Sequence, residues 1–213
     1  MNNKRKSAYW GSVPYVYGSK NHKFTHKEDI NKWDSSLIEL LRYTNMYSGG
    51  GYNSALGNLY RNGLVSLNLH QDDEDVLKEN VPIATISMGA QRTFILQGIE
   101  GEKSKTNGLE FFIELEHNSI LLFNNQTNSN FRHGILEDKD INEPRYSITL
   151  REMEGGKLPY KQEWIEQSYL GNEGKIETVK QEVFKPSIDE DAPRKSLKYL
   201  PGGVGYTPYI FSN

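Results

Sequence analysis

Arg145-Tyr146-Ser147-Ile148-Thr149-Leu150-Arg151 alternates strictly between polar and apolar positions. In an extended chain successive side chains point to opposite faces. Arg145, Ser147, Thr149 and Arg151 therefore share one face, and Tyr146, Ile148 and Leu150 the other. Such a period of two belongs to a strand. Upstream, Ser54–Arg61, Ile83–Met88, Thr93–Gln97, Leu109–Leu115 and Ser119–Asn124 have similar texture, with turn residues between them. Together with Arg145–Glu152 they form a series of short strands without helical periodicity between them. A mainly β domain follows, a sandwich or barrel-like jelly roll. One flanking helix is expected where Ser36-Leu37-Ile38-Glu39 takes the form of a capping box and Leu37, Leu40 and Leu41 make an apolar stripe. Ala8–Tyr17 reads as aromatic strand, and Gly49-Gly50-Gly51 breaks the chain after the helix.

The 213 residues, 36% apolar and 25% charged, are enough for one sizeable core and not for two. The longest apolar runs fall far short of the roughly 18 residues of a membrane span. The charges of Met1–Lys6 are followed by no hydrophobic stretch, so no secretory leader is expected. The absence of cysteine excludes disulfides, zinc–thiolate sites, iron–sulfur clusters and thiol nucleophiles. An intracellular location, cytoplasm or nucleus, is the expectation. A net charge of −3 argues against a protein that mainly grips phosphates non-specifically, though it leaves room for a local basic groove. Residues 153–213, rich in Gly, Pro and charge, read as a C-terminal extension, partly disordered or packed on the core through its aromatic end. One short helix is expected near Lys161–Tyr169.

Four groups of residues carry candidate chemistry. In Leu69-His70-Gln71-Asp72-Asp73-Glu74-Asp75 the i, i+2 spacing puts an imidazole and a carboxylate on one face of an extended segment. With a second imidazole from elsewhere they form the two-His-one-carboxylate arrangement of non-haem iron oxygenases. His-x-Asp alone is short enough to arise by chance in a solvated acidic turn. Arg145 and Arg151, with Ser147 and Thr149 between them, can clasp the two ends of a small dicarboxylate if the strand is twisted and curved. An amphipathic strand with an exposed charged face has the same pattern. Asn58 and Tyr60 share a face and offer donors for a buried anion, or a Tyr hydroxyl that reaches solvent. His133, in Phe131-Arg132-His133-Gly134, is the candidate third ligand, or a surface-loop histidine. His22, His26 and His117 have no carboxylate at ligand spacing.

In this order and spacing the motifs resemble the AlkB family of Fe(II)/2-oxoglutarate dioxygenases. The matching text is Asn58-x-Tyr60, His70-x-Asp72-Asp73-Glu74, Pro82–Ala90, His133 and Arg145-x-Ser147-x-Thr149-x-Arg151. Arg5–Tyr9 through Tyr15–Ser19 is similar to the family's substrate-facing lid, so the resemblance covers residues 5–152. It implies a double-stranded β-helix with a flanking helix and an N-terminal substrate lid. It implies Fe(II) held by His70, Asp72 and His133, and 2-oxoglutarate held at its distal carboxylate by Arg145 with Tyr60. Asn58 and Arg151 would then serve the end near the metal, with Ser147 and Thr149 between. Ser147 stands where many members have asparagine, which weakens one contact to the co-substrate. The implied chemistry is oxidative N-dealkylation. Molecular oxygen and 2-oxoglutarate give succinate and carbon dioxide while an N-methyl carbon is hydroxylated, and the hemiaminal then releases formaldehyde.

The His-x-Asp-Asp-Glu form is similar to members acting on methylated DNA or RNA. There Asp73 and Glu74 would accept from the exocyclic amine of 1-methyladenine or 3-methylcytosine type lesions. Tyr15 and Tyr17 would wall one side of the extruded base and His70 the other, the alternative being that the tyrosines pack beneath the lid. Only four residues precede Arg5, where duplex-repair members carry upstream elements that include a wedge, so single-stranded substrates are expected unless the tail from 153 onward supplies compensating contacts. An oxygenase of the same fold that hydroxylates a protein side chain or makes a modified base is the alternative. A non-catalytic binding module is a third reading, against which the intact ligand set argues.

Overall fold

Alternating patterns become hydrogen-bonded pairs in the computed structural model. It describes residues 5–19, 22–26, 32–101, 105–161, 164–170, 176–182, 198–199 and 209–212, with side chains for 5–15, 32–101 and 105–161. The first half contains β1 (Lys6–Gly11), β2 (Tyr15–Ser19), β3 (His22–His26), α1 (Ser35–Ser48), β4 (Ser54–Tyr60), β5 (Leu67–His70), β6 (Ile83–Gly89) and β7 (Arg92–Gly98). The second contains β8 (Glu110–Leu115), β9 (Ser119–Phe123), α2 (Asn125–Asn130), β10 (Phe131–Ile135), β11 (Arg145–Arg151), β12 (Trp164–Leu170), β13 (Ile176–Glu182), β14 (Lys198–Tyr199) and β15 (Tyr209–Ser212).

A seven-stranded sheet runs β1-β4-β11-β6-β9-β15-β14, and a four-stranded sheet runs β5-β10-β7-β8. The alternation of β9 shows how they are arranged. Leu121 and Phe123 join Tyr60, Phe94, Ile113 and Phe131 in a core between the two sheets. Leu122 instead joins Ala55, Ala84 and Leu150 in a second core under α1, which contributes Leu37 and Leu41. β11 lies mid-sheet between β4 and β6 and is covered on both sides. Its polar face is not exposed: Arg145, Ser147, Thr149 and Arg151 are all buried between the sheets, while Leu150 packs toward α1. This is the jelly-roll architecture that the strand pattern implies.

The observed helix begins one residue ahead of the capping box. Asp34 is the N-cap of α1, its side chain accepting from the Ser36 amide at 2.9 Å. The helix ends at Gly49, whose φ of 68° lets its amide reach the Asn45 carbonyl. Three elements had no clear sequence signature: α2 is short and wholly polar, and β5 and β10 lack regular alternation. The helix expected near Lys161–Tyr169 is a correction. Residues 164–170 are strand β12, because they pair along their length with the next strand, β13, which overrides their local helical pattern. Among the described residues beyond 152, Met153 is buried and Tyr209–Ser212 pairs with β9. No helix among the described residues is long and apolar enough to cross a membrane.

If Asp34 is the cap, Asp34→Ala lowers unfolding stability by about 1 kcal/mol in urea titrations, and Ser36→Ala changes it by only a few tenths. Equal losses would return the cap to Ser36.

Candidate functional site

His70 and His133 face each other because their strands do: the two residues are Cα partners in the β5–β10 pairing. The register shifts immediately after, between His133 and Ile135. Gly134 makes this approach possible, since a Cβ there would sit 2.5 Å from the Leu67 carbonyl oxygen. The two imidazole rings lie 4.3 Å apart between centroids. Phe94 and Phe123 pack the buried His133 ring at 5.5 and 5.0 Å. Asp72 closes the corner two residues beyond β5. Its Oδ1 is 3.8 Å from His70 Nε2 and its Oδ2 4.0 Å from His133 Nε2. Ligand atoms from all three side chains lie within 4.8 Å of one another, a spacing that can hold a metal ion.

The hydrogen bonds set which atoms face inward. His70 Nδ1 lies 2.9 Å from the Asn68 carbonyl, which only accepts, so Nδ1 carries the proton and Nε2 presents its lone pair. Burial pushes His133 down to about 3, against the pull of Asp72, so its ring is neutral at pH 7. For Asp72, burial works to raise the pKa, but Arg151 first, then His133 and His70, outweigh it and hold the carboxyl at about 2. Arg151 Nη2 donates to Asp72 Oδ1 at 2.8 Å, while Asp72 Oδ2 has no hydrogen-bond partner. An anionic carboxylate with a free oxygen beside a neutral imidazole and an Nε2 lone pair is a donor set suited to a divalent cation.

Arg145 lies at the opposite end of β11. It is 1% exposed and donates from Nη2 to Ser87 Oγ at 2.9 Å, yet its Nε and Nη1 are buried without partners. The guanidinium lies 5.0 Å above the Tyr60 ring. Unsatisfied donors on a buried cation are costly, and a carboxylate supplies what they lack. Arg145, Tyr60, Asn58, Ser147 and Thr149 open on one cavity of about 1120 Å³ with His70, Asp72, His133 and Arg151. Arg151 gives its Nη2 to Asp72 Oδ1, and its Nε, like the Nε and Nη1 of Arg145, is buried without a partner.

Asp73, Glu74 and Tyr15 line the same cavity. Asp73 is exposed. Burial raises the Glu74 pKa, and one of its carboxylate oxygens is buried without a partner. Tyr15 is 3% exposed, stacked on Tyr9 at 5.2 Å and lying under the Arg151 guanidinium at 5.5 Å. Tyr17 is on β2, and its side chain is outside the described residues. Sequence reasoning missed three residues around the site. Ser87 pairs with Arg145 from β6, and no local signal marks it. Arg92, 1% exposed, donates to the carbonyls of Asn62, Gly63, Val65 and Leu136, a role that only the fold reveals. Asn128 of α2 bonds the backbone of Asp72, and its sequence neighbourhood is uniformly polar.

The sequence model of the 2OG-Fe(II) oxygenase superfamily matches residues 1–151. Alpha-ketoglutarate-dependent dioxygenase alkB homolog 3 of Homo sapiens is 30% identical over 152 residues, 69% of this chain and 51% of that protein. The Bos taurus protein of the same name gives the same identity and coverage. DNA oxidative demethylase ALKBH2 of Homo sapiens is 27% identical over 151 residues, 70% of this chain and 56% of its own. The chain thus spans about half the length of these relatives.

The two shifted groups predict an acid-sensitive apoprotein. An unfolded histidine takes up its proton near pH 6.5, whereas His133 in the fold refuses one until about 3. Between those values the unfolded chain holds more protons, so stability rises with pH across this window. Asp72, at about 2 in the fold and near 3.9 unfolded, adds a second loss below about pH 4. Denaturant titrations of metal-free protein should show stability falling from pH 6.5 downward, with a shallower slope above pH 4 in His133→Asn. An unchanged slope in that variant rejects the assignment.

Proposed function

Because the chain belongs to the 2OG-Fe(II) oxygenase superfamily, on its AlkB-like branch, we propose that it oxidatively removes methyl groups from ring nitrogens of nucleic-acid bases. The lesions are of the 1-methyladenine and 3-methylcytosine type, in DNA or RNA, with single strands preferred. The observation that carries the substrate class is the placement of the Asp73 and Glu74 carboxylates on the cavity that also holds the His70–Asp72–His133 corner. Methylation at these ring positions makes the base cationic and leaves its exocyclic amine as a donor. Carboxylates beside the site attract the first and accept from the second.

His70, Asp72 and His133 would hold Fe(II). Arg145 with Tyr60 would hold the distal carboxylate of 2-oxoglutarate, with Asn58, Ser147, Thr149 and Arg151 along it. The free Asp72 Oδ2 and the partnerless Nε and Nη1 of Arg145 are the atoms these groups would satisfy. When bound, iron, 2-oxoglutarate and oxygen supply the oxidising power that hydroxylates a carbon attached to nitrogen. The chain supplies place and surroundings. The half-exposed His70 ring gives a flat surface at the mouth for the base, and Phe94 and Phe123 keep the inner corner dry. The β2–β3 hairpin, which carries Tyr15 and Tyr17, is the proposed lid. Arg151 touches both Asp72 and the Tyr15 ring, so it couples lid to ligand corner.

The test is protein with Fe(II), ascorbate and 2-oxoglutarate on methylated single-stranded DNA, duplex DNA and RNA, followed by base mass. Methyl loss greatest on single strands is expected. No loss from any form, with succinate released instead on a protein extract, would point to side-chain hydroxylation. Arg145→Met should weaken 2-oxoglutarate binding by about thirtyfold or more, because a buried charge-assisted pair is broken. Asp73→Asn with Glu74→Gln should lower kcat/KM on the cationic bases by about ten- to a hundredfold, with 2-oxoglutarate affinity kept.

A further inference from the structure

We propose that Asn128 is a positioning residue that sets where the Asp72 carboxylate stands and thereby how tightly the corner binds its metal. The inference rests on the reading of His70, Asp72 and His133 as a metal site. Asn128 is 8% exposed, on α2, and its side-chain amide makes both hydrogen bonds a neighbouring strand residue would make. Its Nδ2 donates to the Asp72 carbonyl at 2.7 Å and its Oδ1 accepts from the Asp72 amide at 3.0 Å. Its own carbonyl accepts from Gln71 Nε2 at 2.7 Å. The segment between the two ligands of the His-x-Asp motif is thus tied to α2 at three points.

Asp72 lies just past the end of β5, where the strand ladder no longer orients the backbone. Arg151 engages only one carboxylate oxygen and leaves the direction of Oδ2 to the backbone beneath it. Asn128 supplies that constraint. α2 is itself held at its start by Asn124, whose side chain accepts from the Thr127 amide at 2.8 Å, and it runs straight into β10 and His133. One short helix therefore sets two ligands: His133 through the chain, and Asp72 through the amide. The same amide bracket also occurs where there is no ligand to place, which separates its effect on stability from its effect on the metal. Asn45 brackets Tyr52, donating from Nδ2 to the Tyr52 carbonyl and accepting from its amide.

That second bracket is the control. Apoprotein is titrated with Mn(II) by calorimetry, and unfolding is measured in parallel. Asn128→Ala should raise the Mn(II) dissociation constant about ten- to a hundredfold. Asn45→Ala should lose comparable stability with the dissociation constant unchanged within about twofold. Hydrogen exchange at the Asp72 amide, slow in the parent, should become fast in Asn128→Ala and stay slow in Asn45→Ala. Asn128→Thr offers one hydroxyl, closer to the backbone, in place of the amide's separate donor and acceptor atoms and so brackets Asp72 less well. It should fall between parent and alanine, and it carries the test if the alanine variant does not fold. Parental Mn(II) affinity in Asn128→Ala or Asn128→Thr, or equal weakening in Asn45→Ala, overturns the inference. A parent that binds no Mn(II) at all sinks the metal-site reading instead, and the exchange contrast still decides whether Asn128 holds Asp72.

Discussion

A carboxylate cannot remain charged in a nearly dry interior unless something pays for the lost hydration. At Asp72, 6% exposed, that compensation comes from Arg151 at 2.8 Å. The pair does more than neutralise. Asp72 follows the edge strand of the four-stranded sheet, and Arg151 ends an inner strand of the seven-stranded one, so their bond joins the two layers beside the cavity. The Arg151 guanidinium also faces Tyr15 of the N-terminal hairpin. Remove either partner and an uncompensated buried charge is left where three elements meet, a defect of a few kcal/mol. The lowered Asp72 and His133 pKa values, and the face Asp72 turns to the imidazoles, follow from this contact and the dry packing around it.

Away from that contact, side-chain amides repeatedly stand in for strand neighbours, and one of them, Asn128, does so at the site. Asn45, Asn53 and Asn128 are each buried and each bond both the amide and the carbonyl of one distant residue: Tyr52, Met153 and Asp72. Every buried backbone group needs a partner, and where a strand ends these amides provide two at once. Arg92 does the complementary work with carbonyls, tying the turn after β4 to the end of β10. It also approaches the Tyr60 ring at 5.8 Å, with both terminal nitrogens bonded to carbonyls, whereas Arg145, at 5.0 Å from the same ring, keeps Nη1 and Nε without partners.

Much of this was legible from residue order. The alternation of Arg145–Arg151 placed four polar side chains on one face, and the structure buries that face as the cavity wall. Asn58 and Tyr60 share a face for the same reason. The His70-x-Asp72 spacing put two groups together, but nothing local linked them to His133. That link is a strand register across more than sixty residues, made possible by a glycine whose importance shows only once Leu67 lies against it. Asn128 and Arg92 were invisible for a similar reason. Their partners are backbone atoms, which carry no sequence identity. The misread helix near residue 165 has a different cause, since its partner is the very next strand and only the pairing, not the segment alone, shows it to be β.

The pairing of Tyr209–Ser212 with β9 changes how the tail should be regarded. β9 carries Ile120, Leu121, Leu122 and Phe123, and a strand edge of that composition left bare is a template for joining another molecule. Residues 209–212 therefore act as a cover strip. A protease that trims them would bare that apolar edge and yield a protein inclined to aggregate.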